Sequence, residues 1–335
     1  MTNKIIQLTK ENSPEASRSE QLALDVLMGF TSDPKYLPPI HFYDAKGSEI
    51  FQKIMSSKDY YLTECELEII KDHGEEIISK FDASKKLQVV ELGAGDGYKT
   101  RHLIEKILNK KMDLTFSPID ISKRALEDLA ENFEKSFKDI KVQGLQGEYF
   151  QSLRWLSAQP SCQRLVLFLG SNIGNFKRPQ AEVFLKTLWN VLQDGDYVLI
   201  GADLKKDIDK MLWAYNDREG YTKEFNLNLL GRINRELGAN IDIKKFQHFG
   251  TYNVKLGAME SFLVSLEKQE IEISALNRKF QFKAFESIHV ESSYKYLISE
   301  MREMANHAGF GMDQVFLDSK KYFADFLLKV NKNII

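Results

Sequence analysis

Leu87-Gln-Val-Val-Glu-Leu-Gly-Ala-Gly-Asp-Gly97 joins a short apolar run to a turn with three alternating glycines. An apolar run of this length that ends at glycine predicts a buried strand. Glycine suits the turn because the chain bends sharply there and because a ligand can approach a backbone that carries no Cβ. A helical pattern starts at Lys99, so the unpaired N–H groups at its start can hold an anion. The stretch therefore predicts a strand, a ligand-binding turn and a helix.

The alternation of apolar runs and helical patterns continues along the chain. Further predicted strands are Leu114–Asp120, Lys141–Gly144, Arg164–Leu169 and Tyr197–Ala202. The predicted helices are Lys99–Leu108, Lys123–Phe137 and Pro179–Leu192. This order is typical of β-α units that stack into a mostly parallel sheet, and it predicts an α/β fold. Strands without polar alternation are expected when helices cover both faces of the sheet.

The rest of the chain lacks this rhythm. Helices are predicted near Ser19–Phe30, Ser48–Met55, Thr63–Ser79, Asp207–Leu237 and Ser293–Gly309, antiparallel strands within Phe246–Ile273 and Phe280–Val290, and a return to the sheet within Val315–Val330. Thr63 is expected to cap its helix, with Glu66 as the capping-box partner. We therefore predict a cofactor-binding domain of residues 69–205 plus 295–335. A second, α+β domain of residues 14–68 plus 206–294 is expected to bind the substrate.

Composition narrows the possible functions. The 335 residues are 43% hydrophobic and 28% charged, as in an ordinary soluble protein. Lys and Arg number 46 against 48 Asp and Glu, so no strong field favours nucleic acid or an anionic membrane. Two cysteines and six histidines show no metal-ligand spacing. Without an apolar run of membrane-spanning length or a secretory pattern, the expectation is a cytoplasmic protein with no metal, whose oligomeric state the sequence leaves open.

Two ligands can use the glycine turn: a dinucleotide through its pyrophosphate, or S-adenosylmethionine through its methionine carboxylate. The dinucleotide fingerprint requires a small residue where this chain has Tyr98. Glu91, before the turn, suits the ammonium group of S-adenosylmethionine. Asp120 ends the next strand, where a carboxylate can accept hydrogen bonds from ribose, and Gly147-Glu148-Tyr149 offers an aromatic ring to adenine. These features favour S-adenosylmethionine, with S-adenosylhomocysteine as product.

A second polar loop, Gly170-Ser-Asn-Ile-Gly-Asn-Phe176, follows the strand Arg164–Leu169. Its glycines and asparagines can bind a small amine or carboxylate through backbone and amide groups. Methyltransferases that act on the exocyclic amines of bases usually have an Asp/Asn-Pro-Pro-aromatic motif here, and this loop contains no proline. The loop therefore argues for a small-molecule acceptor and against nucleic acid.

These segments and others resemble the histidine-specific methyltransferase family, which includes an enzyme of ergothioneine synthesis. The similar segments are Tyr43–Phe51, Tyr60–Thr63, Glu91–Gly95 with Lys99-Thr100, Gly170–Asn175, Gly201–Asp207, Ala214–Asp217, Phe225–Asn228, Asn234–Ala239 and Glu291–Tyr296. They keep the family's order and spacing from about residue 20 onward. The resemblance implies a Rossmann-like class I methyltransferase sheet. It also implies methyl transfer from S-adenosylmethionine to the α-amine of L-histidine or a related small amino acid.

The resemblance implies roles for individual residues. In the family's pattern Asn175 and Tyr215 hold the substrate carboxylate, Tyr43, Gly170 and Asn172 surround the α-amine, and Tyr60, Met259, Glu291 and Ser293 line the imidazole pocket. Tyr43 and Asn172 are the candidate catalytic residues. The cofactor site is predicted to comprise Glu91, Gly93, Gly95, Lys99, Asp120, Glu148 and Tyr149.

The chain departs from the family at several positions. Asn172 stands where threonine is common, Leu62 replaces a proline, Phe285 replaces a usual glycine, and Tyr252-Asn253 replaces a Trp-Asp pair. The departures leave the predicted cofactor site intact and keep two alternatives open. One is a methyltransferase of the same family that acts on a different amino acid or natural-product amine. The other is a non-catalytic scaffold that binds the cofactor.

Overall fold

A computed structural model describes residues 5–8, 14–138 and 140–332. The chain forms two compact units. The first unit comprises Met1–Lys10, Glu64–Lys205 and Lys295–Ile335, and the second comprises Glu11–Thr63 and Lys206–Tyr294. The assignment of cofactor binding to one unit and substrate binding to the other stays a prediction.

The helices and strands of the described residues are numbered in chain order. The strands are β1 (Ile6–Gln7), β2 (Lys35–Tyr36), β3 (Leu87–Leu92), β4 (Leu114–Asp120), β5 (Lys141–Val142), β6 (Leu145–Gln146), β7 (Gln163–Phe168), β8 (Tyr197–Asp203), β9 (Phe246–Asn253), β10 (Ala258–Ser265), β11 (Gln269–Ile273), β12 (Arg278–Phe282), β13 (Ser287–Tyr294), β14 (Phe310–Leu317) and β15 (Phe323–Val330). The α-helices are α1 (Pro14–Thr31), α2 (Ala45–Ser56), α3 (Leu62–Ile78), α4 (Thr100–Asn109), α5 (Lys123–Ser136), α6 (Tyr149–Ser157), α7 (Arg178–Val191), α8 (Ile208–Tyr215), α9 (Tyr221–Leu237) and α10 (Ile298–Ala308). Short 3₁₀ helices cover Pro39–Phe42, Asn172–Asn175, Ile243–Lys245 and Ser274–Leu276.

The first unit is built on one large sheet with the strand order β1-β6-β4-β3-β7-β8-β15-β14, and β5 pairs with β4. The strands from β1 to β8 pair in parallel, whereas β15 and β14 join antiparallel. Every residue of β3 and β8 is buried, which explains why neither strand shows a regular alternation of polar and apolar residues. The predicted Rossmann-like sheet is confirmed. Its strand order reverses between β3 and β7, and ligands bind beyond the carboxyl ends of the strands at such a point.

The second unit contains a smaller sheet with the order β2-β13-β10-β9. β2 is parallel to β13, and the other two pairs are antiparallel. β11 and β12 form a separate hairpin. Helix α9 contributes Leu229, Leu230 and Ile233 to a core that also contains Leu263 and Ile288. The antiparallel strands predicted for this part of the chain are therefore present.

Two predictions about helices are wrong. Helix α3 begins at Leu62, so Thr63 lies inside it, and the carboxylate of Glu66 accepts the N–H of Gly170 instead of completing a capping box. The single helix predicted over Asp207–Leu237 is two helices, α8 and α9. It breaks because Asp217 accepts the N–H groups of Tyr221 and Thr222, which starts a new helix.

A helix was also predicted to start at Ser293, but β13 extends to Tyr294 and helix α10 starts at Ile298. None of the helices in the described ranges combines the length and apolarity that a bilayer crossing requires.

Phe285, in the turn before β13, is a departure from the family pattern that strains the backbone. Phe285 has a φ of 61°, in the left-handed region that glycine occupies without steric cost. Its side chain is 76% exposed, so burial of the ring does not compensate for the strain. The glycine usual at this position is the residue that this backbone favours.

Replacing Phe285 by glycine is expected to raise the free energy of unfolding by about 0.5–1 kcal/mol, because the left-handed penalty relieved exceeds the entropy that glycine adds to the unfolded chain. Urea denaturation would measure the change. Phe285→Ala is the matched control, since it removes the ring and keeps the Cβ at positive φ. Equal stabilisation by both variants would contradict the backbone explanation.

Candidate functional site

The glycine turn between β3 and α4 provides an open stretch of backbone. Gly93 and Gly95 have φ values of 74° and 55°. The N–H of Gly93 donates to Ile119 O at 2.9 Å, which fixes the start of the turn against β4. A Cβ built on Gly93 would lie 2.7 Å from the hydroxyl of Tyr149, whereas a Cβ on Gly95 would meet nothing within 4 Å. Gly95 therefore leaves space in which a ligand can contact the backbone.

A buried carboxylate lies at the end of β3. One oxygen of Glu91 accepts a hydrogen bond from Thr100 Oγ1 at 2.5 Å, and the other, Oε2, has no partner within the described part of the chain. Burial raises the pKa of Glu91 to about 8. An unpaired buried carboxylate is costly unless a cation reaches it. Glu91 and the open turn therefore fit a ligand with an ammonium group, as predicted for S-adenosylmethionine.

The ends of the next two strands are tied together at the same edge of the sheet. Asp120, the last residue of β4, accepts the N–H of Ser122 at 2.8 Å through its side chain and that of Gly147 at 3.1 Å through its backbone carbonyl. Tyr149 begins α6, and its ring packs edge-on against Phe168 at 5.6 Å. Burial raises the pKa of Tyr149, so its hydroxyl stays protonated. Asp120 and Tyr149 thus flank the glycine turn.

The loop after β7 is held in an unusual backbone conformation. Gly170 and Ser171 have φ values of 77° and 58°, and a 3₁₀ helix follows. Asn172 Nδ2 donates to Leu169 O at 2.8 Å, and the N–H of Asp203 donates to Ser171 Oγ at 2.9 Å. A loop anchored at several points presents its polar groups in a fixed geometry.

Glu66 of α3 was missed by the sequence analysis. Its side chain is fully buried and accepts the N–H of Gly170 with both oxygens, at 2.8 and 2.9 Å. Lys99 Nζ also bonds Glu66. The signal that marks this residue is its helical spacing, because Glu66 lies on the buried face that carries Leu62, Ile69 and Ile70. A carboxylate in such an apolar stripe indicates a buried partner.

Three residues predicted to line the imidazole pocket lie on β10 and β13 of the second unit. Met259 pairs directly with Ser293, and Ser261 pairs with Glu291. Because side chains two residues apart in a strand share a face, Met259, Ser293 and Glu291 lie on one face of the sheet. Ser261, which was not predicted, lies on the same face opposite Glu291, and its buried hydroxyl has no partner among the described residues.

Tyr215, at the end of α8, is fixed to β9 of the same sheet. Its carbonyl bonds His248 Nε2 at 3.0 Å, and the side chain of the next residue, Asn216, bonds both the N–H and the carbonyl of Gly250 at 3.1 Å. Gly250 pairs with Ser261 on β10. The backbone of Tyr215 therefore has a defined position beside the strand that carries Met259.

The rings of Tyr43 and Tyr60 both pack edge-on against Phe51, with centroids 5.7 and 6.4 Å away. Asp59, next to Tyr60, accepts two hydrogen bonds from the Arg218 side chain at 3.1 and 2.8 Å. Bonding to Arg218 lowers the pKa of Asp59 to about 2, so the pair is charged over the physiological pH range. The pair ties the Tyr60 segment to the turn that follows Tyr215.

The described contacts do not join every predicted residue. Lys99 is close to Gly170, since a Cβ on Gly170 would lie 3.5 Å from Lys99 Nζ and 3.6 Å from Asn172 Nδ2. Glu148 and Asn175 are exposed, and no hydrogen bond links either of them to another predicted residue within the described ranges. The same ranges contain no cluster of three or more residues able to hold a metal ion.

The chain is similar over most of its length to known proteins. A family model described as histidine-specific methyltransferase, SAM-dependent, matches residues 22–330. A histidine N-alpha-methyltransferase of Mycolicibacterium smegmatis is 35% identical over 292 residues, which cover 86% of this chain and 89% of that protein. Its counterpart in Mycobacterium tuberculosis is 34% identical over 275 residues, covering 82% and 84%. A 4-dimethylallyltryptophan N-methyltransferase of Claviceps purpurea is 26% identical, covering 96% and 97%.

Proposed function

Since this chain belongs to the S-adenosylmethionine-dependent histidine-specific methyltransferase family, we propose that it methylates the α-amine of L-histidine or a close relative. The chain is an S-adenosylmethionine-dependent N-methyltransferase. The proposal concerns the identity of the molecule that accepts the methyl group. The main support for this acceptor is that most of the chain is similar to two proteins named for histidine methylation. Glu291, Met259 and Ser293 on one sheet face support the same acceptor.

The residues of the first unit fit the cofactor. Glu91 Oε2 would bind the ammonium group, the backbone at Gly93 and Gly95 would contact the methionine portion, and Asp120 would accept hydrogen bonds from ribose. Lys99, Glu148 and Tyr149 complete the proposed set. The cofactor supplies an electrophilic methyl carbon bound to a sulfonium. The task left to the protein is to orient a neutral amine and to exclude water.

The acceptor residues divide by chemistry. Asn175 and Tyr215 would donate hydrogen bonds to the substrate carboxylate, and Tyr43, Gly170 and Asn172 would surround its amine. Tyr60, Met259, Glu291 and Ser293 would bind the imidazole ring. A carboxylate such as Glu291 can accept the imidazole N–H, and methionine provides an adaptable apolar contact. The Tyr43 hydroxyl would accept a hydrogen bond from the amine, which helps to keep the nitrogen lone pair aimed at the methyl carbon.

Glu291→Ala is expected to weaken the affinity for histidine about 10- to 100-fold, because a charge-assisted hydrogen bond contributes about 1.5–3 kcal/mol. The affinity for S-adenosylhomocysteine is expected to stay within about twofold of its original value. Calorimetric titration of each ligand would measure both affinities. Glu260→Ala on β10 is the matched control, since Glu260 pairs with Ser292 rather than with the predicted residues. Equal losses of both affinities in Glu291→Ala would contradict the assigned role.

Mass spectrometry of histidine incubated with the enzyme and S-adenosylmethionine would test the acceptor and count the methyl groups together. A mass increase of about 14 Da per turnover is expected. No product from histidine, with product from another amino acid, would favour the second candidate. That candidate is favoured by Asn172 and Tyr252, which depart from the family pattern, and by similarity to an enzyme named for a tryptophan derivative. Normal cofactor binding without turnover of any amine would support a scaffold.

The proposed partner is a small-molecule amino acid. The 46 basic and 48 acidic residues nearly balance, so the protein has no strong field that would attract nucleic acid or an anionic membrane. The proposal therefore includes neither as a partner. A cytoplasmic location belongs to the same proposal.

A further inference from the structure

Three ionisable side chains form a buried cluster in the first unit. Glu66 of α3 and Asp325 of β15 are fully buried, and the side chain of Lys99 is 17% exposed. Lys99 bonds Glu66, and Glu66 accepts the Gly170 N–H with both of its oxygens. One carboxylate therefore bonds the residue before α4 and the first residue of the loop that follows Leu169.

Glu66 has little freedom to move. A Cβ on Gly201 of β8 would overlap its Oε1, so the carboxylate lies directly against the backbone of that strand. Gly201 pairs with Asp325 across β8 and β15. The carboxylate occupies a slot that is closed by β8 on one side and by the Gly170 loop on the other. A group confined in this way fixes the positions of its partners.

The cluster contains two carboxyl groups and one ammonium group. Both side-chain oxygens of Asp325 lack a hydrogen-bond partner in the described ranges. Burial, together with the negative charge of Glu66, raises the pKa of Asp325 well above its usual value. The only ammonium group of this cluster, that of Lys99, pairs with Glu66. Removing Lys99 would leave a buried carboxylate without a cation, which is strongly destabilising.

We propose that Glu66 is a positioning residue that links two loops. It holds the glycine turn between β3 and α4 through Lys99, and it holds the loop Gly170–Phe176, where the acceptor would bind, through Gly170. The link keeps the two loops in the relative position that methyl transfer requires. This inference rests on the proposed function, because it assigns Lys99 to the donor side and Gly170 to the acceptor side. Misplacement by about 1 Å is enough to lower a rate by about 100-fold, so a link of this kind has a large effect on turnover.

The test compares Glu66→Gln, Lys99→Met and the double variant. Glutamine offers the Gly170 N–H one acceptor oxygen in place of two, which weakens the bond to the loop, and it loses the ion pair with Lys99. Glu66→Gln is expected to lower kcat about 100-fold and to change the affinity for S-adenosylhomocysteine less than about fivefold.

Lys99→Met is expected to destabilise the fold, and the double variant is expected to regain stability because the Glu66–Lys99 pair then leaves no unpaired charge. The double variant is not expected to regain kcat. Recovery of kcat together with stability would show a merely structural pair and overturn the proposal.

Two measurements keep this test separate from the question of the acceptor. Hydrogen exchange of the peptide that contains Gly170–Phe176 needs no substrate, and faster exchange is expected in Glu66→Gln than in the unmodified enzyme. Unchanged exchange would overturn the link even if histidine proves not to be the acceptor. Asp325→Asn is the matched control, because Asp325 is equally buried and bonds neither loop. It is expected to retain kcat, and a loss as large as that of Glu66→Gln would contradict a role that acts through Gly170.

Discussion

Gly95→Ala is expected to raise the dissociation constant for S-adenosylhomocysteine at least about 100-fold. The new Cβ would meet no protein atom within 4 Å, so it would occupy the space in which the ligand approaches the turn. A loss of that size corresponds to about 2.7 kcal/mol. The left-handed φ of 55° adds a cost to the folded state, which has to be separated from the effect on binding. Calorimetric titration would measure the affinity.

Gly195→Ala provides that separation. Gly195 also has a positive φ, 84°, and open space at its Cβ position, and it lies in the turn before β8 rather than in the glycine turn after β3. Both alanine variants are expected to lose about 1–2 kcal/mol of stability, because both place a Cβ at positive φ. Only Gly95→Ala is expected to lose cofactor affinity. If both variants bound S-adenosylhomocysteine equally well, the glycine turn would not be the cofactor site.

Binding of S-adenosylhomocysteine at pH 7 is expected to release a proton from Glu91. With a pKa of about 8 in the ligand-free protein, the carboxyl group is about 90% protonated at pH 7. A ligand ammonium favours the ionised form, so the pKa falls on binding and the proton leaves. Calorimetry at pH 7 in two buffers with different ionisation enthalpies would count the protons released, with a value near one expected.

Glu91→Gln is the corresponding control, expected to abolish the proton release and to weaken binding about 10- to 100-fold. Stability gives an independent check. The folded-state pKa of Glu91 lies above its ordinary value of 4.5, so the stabilisation from its protonation is complete below pH 4.5 and is lost as the pH rises through 8. The ligand-free enzyme should therefore lose stability over this interval more steeply than Glu91→Gln. Identical pH profiles and unchanged proton release would disprove the assignment.

The parallel strands and the glycine turn could be predicted because their signals are local. A mostly apolar run such as Leu87–Leu92 and the glycines that follow it can be recognised within about ten residues. The break between α8 and α9 also had a local signal, since Asp217 and Gly220 are residues typical of helix ends. The prediction of one continuous helix gave too little weight to that signal.

The role of Glu66 could not be read in this way. Its hydrogen-bond partner Gly170 lies 104 residues further along the chain. The capping-box pattern gave Glu66 a local explanation, and the long-range contact prevailed because a buried carboxylate needs a donor. Ser261 was missed for a related reason, because its position opposite Glu291 depends on strand register. For the acceptor, the polar residues of the Gly170–Phe176 loop were a local signal, and the family resemblance supplied the other candidates; the roles of all of them stay predictions.

The order β8-β15-β14 has a consequence for synthesis of the protein. The ribosome makes β14 before β15, yet β15 is the strand that pairs with β8. Until β15 emerges, β8 keeps an open hydrophobic edge, and β14 is the first strand available to occupy it. The two strands differ in burial. β15 is buried at seven of its eight positions, whereas most of β14 is partly exposed. The later strand therefore gains more from the interior position, which favours the native order once β15 is available.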